Sequence, residues 1–186
     1  MNEVLRTIEQ RFSCRDYDGR PVDKETLQTI AKAALQSPSA MNLQPWRLLV
    51  IADKAMVDKL DCAAMDYMKS LPDKGLYNRI MERGGKVFYN APVLYLILKD
   101  PAAGSNWTDV DCGIMTQNIC LAAASLGLDS VIVAMAHLSF RGEDADELKA
   151  ALKWPEGLEF GMGVLVGHGI IKKEPHEIDW GKVINY

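Results

Sequence analysis

The chain has 186 residues, 48% hydrophobic and 25% charged, which is ordinary for a globular protein with room for one substantial core. A formal charge of −4 supplies no global basic field, so neither nucleic acid nor an anionic membrane surface is an expected partner. Cys14, Cys62, Cys112 and Cys120 form no CxxC pair and have no histidine at ligand spacing, which argues against a zinc site or a disulfide framework.

Residues 2–11 place Val4, Leu5, Ile8 and Phe12 on one face of a short amphipathic helix. Charges from the third residue onward leave no apolar signal core, so a cytoplasmic protein is expected. Asp23 is placed to cap a second helix bearing Leu27, Ile30, Ala31, Ala34 and Leu35, which Pro38 stops. The stretch SPSAMNLQPW follows, then a short strand over 46–52, and Asp53 can cap a third helix whose buried side carries Met56, Val57, Leu60, Ala64 and Tyr67. Residues 70–90, rich in Gly, Pro and charge, read as a lid or variable excursion without assigned elements.

Residues 92–98 form a strand apolar on both faces, and 107–126 a long helix apolar on several sides and ended by Gly127. The apolar run 114–128 falls short of the ~20 residues that a bilayer crossing needs. A strand over 130–134, a polar amphipathic helix over 143–152 and a glycine-dotted strand over 160–166 complete the pattern, with no repeat or domain linker, so a single domain over 1–186 is expected. The tail carries Ile178, Trp180, Val183 and Ile184 without an element to bury them, which suggests a partner subunit.

Three clusters carry candidate chemistry. Arg11-Phe12-Ser13-Cys14-Arg15 sets two guanidiniums around a hydroxyl, donors suited to one anion, although a solvated helix end is the more ordinary role for these residues alone. Ser39, Asn42 and Gln44 are neutral donors and acceptors of the kind that recognise a heteroaromatic edge, or that simply cap a turn. Lys172-Lys173 can supply cation to a phosphate or stand as a solvated pair. GxGxxG, GxxxxGK[ST] and GxSxG are absent and His137, His168 and His176 form no dyad, so any catalysis is expected to be carried by a bound cofactor.

RFSCR at 11–15, the run 21–51 containing PSAMNLQPW, residues 110–136 and GVLVGH at 163–168 together resemble the nitroreductase family of flavin enzymes. The resemblance implies an α+β fold with a central, mostly antiparallel sheet flanked by helices. It also implies an intertwined homodimer with the C-terminal extension on the partner, and FMN at the interface. By the same resemblance Arg11, Phe12, Ser13 and Arg15 belong to the cofactor site, with Arg11 and Ser13 at the phosphate and Arg15 at the N1/O2 edge. Pro38, Ser39, Asn42 and Gln44 reach the flavin from the other subunit, the backbone of Ile132, Val133, Ala134 and Met135 passes near N5, and Lys172 and Lys173 are the late phosphate contacts. Ala134 departs from the glycine frequent in small relatives.

The implied activity is ping-pong hydride transfer from NADH or NADPH to a nitroaromatic, quinone or related small acceptor, with no side chain nominated as proton donor. Dehalogenation, ene reduction, flavin breakdown and non-catalytic flavin binding stay open as alternatives. Residues 65–90 and 104–109, including Tyr67, Tyr77, Phe88 and Trp107, are expected to shape the acceptor site.

Overall fold

A computed structural model describes residues 1–184; the last two residues of the C-terminal tail lie outside the described residues. Four strands, β1 (Trp46–Ile51), β2 (Val93–Lys99), β3 (Asp129–Ile132) and β4 (Glu159–Gly167), form one antiparallel sheet in the order β1-β2-β4-β3. The helices are α1 (Glu3–Gln10), α2 (Lys24–Leu35), α3 (Lys54–Ser70), α4 (Gly75–Met81), α5 (Thr108–Ser125) and α6 (Ala145–Ala151). No helix among the described residues is long and apolar enough to cross a membrane.

The sheet divides the core because side chains alternate along a strand. Leu94, Leu96 and Leu98 of β2 join a cluster with Val57, Leu60, Ala64 and Met68 of α3. Val93, Tyr95 and Ile97 point the other way, into a cluster with Ile30 of α2 and Met115, Ile119 and Ala123 of α5. Each fully buried side chain of this size contributes about 1.5–3 kcal/mol of transfer free energy, so β2, buried on both faces, anchors the fold. The Tyr95 hydroxyl, donating to the Leu27 carbonyl at 2.9 Å, ties α2 to that strand.

Local signals act where the residue types require. Asn2, Asp23 and Asp53 accept from the first-turn N–H groups of α1, α2 and α3. Two boundaries differ from the sequence reading. The strand expected over 130–134 ends at Ile132, and a 3-10 turn, Ala134–Phe140, begins at once. That turn packs against β4 at Gly163, where an added Cβ would lie 3.0 Å from both Ala136 Cβ and Val133 O. The polar helix is shorter than expected, Ala145–Ala151.

Residues 70–90 are also more than an excursion: α4 lies within them, and Ile80, Val87 and Phe88 are core residues. Phe88 therefore packs the interior instead of shaping a substrate site. The chain is fixed there by Asp61 of α3, whose Oδ1 accepts from Val87 N at 2.8 Å and Phe88 N at 3.1 Å.

Conversely, one chain leaves two apolar surfaces uncovered. Val4, Leu5 and Ile8 of α1 are exposed, and so are Ile178, Trp180, Val183 and Ile184 of the tail.

Burial holds the Asp61 carboxyl above the usual carboxylate range, against the pull of its two N–H donors and of Lys86. A raised folded-state value means that the folded chain holds this proton more tightly than the unfolded one. The stability that it contributes is present in acid and is lost as pH rises through the folded value. Asp61→Asn keeps one oxygen for both donors and removes the charge, so its stability relative to wild type is expected to improve between pH 4 and pH 7 in urea unfolding. Asp61→Ala orphans both donors and is expected to lose about 2–6 kcal/mol, at about 1–3 kcal/mol for each.

Candidate functional site

Helix α1 stops at Gln10, and the chain continues extended along the sheet. Ser13 pairs in parallel with Ser130 of β3, Cys14 N donating to Ser130 O at 3.0 Å. Tyr17 then pairs with Gly169 in the antiparallel sense, where Ile170 N donates to Asp16 O and Asp18 N to His168 O, each at 3.1 Å. One short segment is thus stitched to the start of β3 and to the continuation of β4. At the join, a Cβ on Gly169 would lie 2.6 Å from both Cys14 Sγ and Asp129 Oδ2, so the approach needs glycine.

Cys14 is fully buried and so is Tyr17, whereas Arg11 and Ser13 are half-buried and Arg15 is exposed. Burial also pushes the Cys14 thiol up in pKa, marking it as a packing residue and not a nucleophile. Arg15 is exposed, and its guanidinium donates back to the Ser13 carbonyl at 3.4 Å.

Arg11 and Phe12 face Lys172 and Lys173 across a cleft of about 600 Å³. Glu9, Asp129 and Glu174 share it, and Lys172 Nζ stands 3.7 Å from Asp129 Oδ2. Among the described residues neither Arg11 nor Lys173 has an ion-pair partner. Two uncommitted cations and a third loosely held one suit a compact anion such as a phosphate.

The stretch 37–44 is a tight polar loop held by α5. Ser37 is buried, donates to Ala34 O at 2.7 Å and accepts from Asn118 Nδ2 at 2.8 Å. Ala40 N donates to Asp111 Oδ1 at 3.1 Å. Within the loop the Ser39 hydroxyl accepts from Gln44 N at 2.9 Å, and the Gln44 amide donates to Asn42 Oδ1 at 3.0 Å. Met41, Asn42 and Gln44 have φ of 52°, 54° and 49°, the left-handed region, at about 1–2 kcal/mol for each residue with a Cβ. Such a cost persists only where neighbours over-determine the conformation. Here Asp111 supplies a charge-assisted bond, of a kind worth about 1.5–3 kcal/mol.

At the end of β3, Val133 N donates to Gly163 O at 2.8 Å, and the 3-10 turn follows. The N–H groups of Ala134 and Met135, as its first residues, have no acceptor within the turn. The carbonyl of Ala134 is taken by His137 Nδ1 at 2.8 Å.

A model of the nitroreductase family matches residues 8–168. The chain belongs to the nitroreductase family. Over the whole of this chain and 99% of the other, it superposes with a TM-score of 0.93 and 41% identity on a crystal structure of a nitroreductase with bound FMN from Desulfitobacterium hafniense. An Archaeoglobus fulgidus protein, provisionally named NADH dehydrogenase/NAD(P)H nitroreductase, is 31% identical over 182 residues, 96% of this chain and 92% of its own. A Bacteroides fragilis nitroreductase structure, 24% identical and covering all of both chains with a TM-score of 0.87, shows the shared fold.

For this nitroreductase-family chain, the folded molecule joins some of the residues singled out in the sequence and separates others. Arg11, Phe12, Lys172 and Lys173 line one cleft; Ser13 and Arg15 flank it on the same segment. Pro38, Ser39, Asn42 and Gln44 sit on the α5-held loop, and Ile132, Val133, Ala134 and Met135 at the far end of β3; neither group lines that cleft within one chain. Sequence reasoning missed Asp111 and Asn118. Their signal is spacing: seven residues apart, an acid and an amide share one side of a helix that is otherwise apolar there.

Because Met41 is 78% exposed, its left-handed backbone can be tested without disturbing packing. Met41→Gly is expected to be neutral or to stabilise by up to about 1 kcal/mol, and the β-branched Met41→Val to destabilise by about 1–2 kcal/mol. Urea unfolding of the two variants beside wild type checks the pair.

Proposed function

We propose that this chain is an FMN-dependent oxidoreductase that takes electrons from NADH or NADPH and delivers them to nitroaromatic, quinone or related small acceptors. The observation that carries this reading is the cleft where Arg11, on the segment that also bears Ser13 and Arg15, meets Lys172 and Lys173, with neither Arg11 nor Lys173 ion-paired among the described residues. Family membership and the FMN in the Desulfitobacterium hafniense structure, 41% identical, support the identity of the anion as the FMN phosphate. The name of the Archaeoglobus fulgidus relative supports the nicotinamide donor.

Bound FMN supplies hydride acceptance at its ring and later release to an oxidant. The protein's part is to bind and to bias. Arg11, Ser13, Lys172 and Lys173 hold the phosphate, with Phe12 packing beside them. Arg15 provides positive charge toward the ring edge that becomes electron-rich on reduction, which favours the reduced form. The free N–H groups of Ala134 and Met135, following Ile132 and Val133, offer fixed dipoles without a proton to give away. Protons come from solvent, and no side chain serves as the acid.

The functional unit in this reading is a homodimer. The exposed apolar face of α1, the exposed tail and the apolar groove of about 640 Å³ between α1, α2 and α5 are surfaces that a second copy would cover. It also reconciles the separation seen in one chain, because Pro38, Ser39, Asn42 and Gln44 then complete a cofactor site on the neighbouring subunit.

FMN and riboflavin differ only in the phosphate, so comparing them isolates the cation cluster. Arg11→Ala is expected to raise the FMN dissociation constant tenfold or more, since a charge-assisted bond of about 1.5–3 kcal/mol is lost. Riboflavin affinity is expected to change less than twofold. Equal losses for both ligands, or no FMN binding by wild type, would overturn the assignment.

A further inference from the structure

We propose that Asp111 and Asn118 are positioning residues for the cofactor loop. From one side of α5 they hold residues 37–44 in the left-handed shape that presents Asn42 and Gln44, before any cofactor arrives. The inference rests on the FMN reading above and deepens it, by assigning the pre-organisation of that site to a helix that need not touch the cofactor.

Asp111 is hard to explain by stability alone. It lies in the buried stripe of α5 among Thr108, Cys112 and Met115, at 3% exposure. A carboxylate there is costly unless fully paired. Yet among the described residues only Oδ1 has a partner, the Ala40 amide, while Oδ2 is buried without one. A half-satisfied buried carboxylate whose single bond ends on a strained loop is the pattern expected where fold stability has yielded to a site.

Asn118 completes the clamp. Two helical turns along the same side, it donates to Ser37 Oγ, whose own proton goes to Ala34 O, so the loop entrance is pinned on both counts. Residues 38–39 lie between the two anchors, and the left-handed Met41 and Asn42 follow the second at once. Support from a rigid helix, instead of the loop's own contacts, keeps such a conformation populated in the absence of ligand.

The test uses the full chain with Asp111→Ala, Asp111→Asn and Asn118→Ala. Backbone amide exchange over residues 38–46 of the cofactor-free protein is measured beside FMN and riboflavin dissociation constants. For Asp111→Ala, exchange at residues 40–44 is expected to rise tenfold or more while β2 and β4 are unaffected, and both flavins are expected to bind about tenfold more weakly. Asp111→Asn, which keeps an acceptor for Ala40 N, is expected to stay within threefold of wild type on every readout. Asn118→Ala is expected to move both exchange and affinity in the direction of Asp111→Ala by threefold or more.

Unchanged exchange at 40–44 overturns the proposal, and so does faster exchange with unaltered flavin affinity. Should Asp111→Ala not fold, Asn118→Ala carries the same two readouts and decides. Wild type that binds flavin beside a variant that binds equally well removes the clamp alone. Wild type that binds neither flavin contradicts the FMN reading itself, and the clamp falls with it.

Discussion

Main-chain hydrogen bonds from residues 14–18 to two separate parts of the sheet are the constraint on which the cation cluster depends. Once the segment leaves α1 it has no helix to satisfy its amides, and buried backbone groups need partners. Ser130, His168 and Ile170 supply them. Because the second contact is the continuation of β4, the chain that carries Lys172 and Lys173 emerges beside Arg11 although about 160 residues separate them in sequence. Cys14 and Tyr17, both buried, lock the segment from below. The cations therefore converge through backbone pairing and packing, without attracting one another, and remain available to an anion.

The second half of the candidate site follows a different logic. Residues 38–44 include three non-glycine residues in the left-handed region, and α5 supports them with a buried carboxylate and an amide. The cation cluster is held by regular sheet-like pairing at little cost. The loop is held by a few polar bonds at appreciable cost, and strain of this kind collects at functional sites. In the proposed dimer the two halves meet across subunits, so each subunit supplies one inexpensive and one strained part.

Much of this was legible in the residues themselves. Asp23 and Asp53 announce helix starts because a carboxylate before an apolar periodic run satisfies free N–H groups, and β2 announces itself as a run apolar on both faces. The family resemblance rests on local motifs and reaches Arg11, Lys172 and Lys173, which do meet. What stayed hidden depended on tertiary contacts. The end of β3 at Ile132 is set by the turn packing on Gly163, and Val131, Ile132 and Val133 give no local hint of it. Val87 and Phe88 looked like part of a polar excursion because the carboxylate that anchors them, Asp61, is 26 residues away. Asp111 was masked by the apolar residues around it, since a hydropathy pattern registers one acid in a core helix as noise.

The proposed activity requires this chain to hold FMN and to pass nicotinamide electrons through it. The most direct measurement is the visible spectrum of the purified protein after FMN is added and excess removed, followed under anaerobic conditions by titration with NADH and then NADPH. The expected result is retained flavin absorbance that bleaches rapidly with at least one nicotinamide and returns when a quinone or nitroaromatic is admitted. Retained flavin that neither nicotinamide bleaches would contradict the proposed activity, and loss of all flavin during removal of excess would contradict the cofactor assignment beneath it.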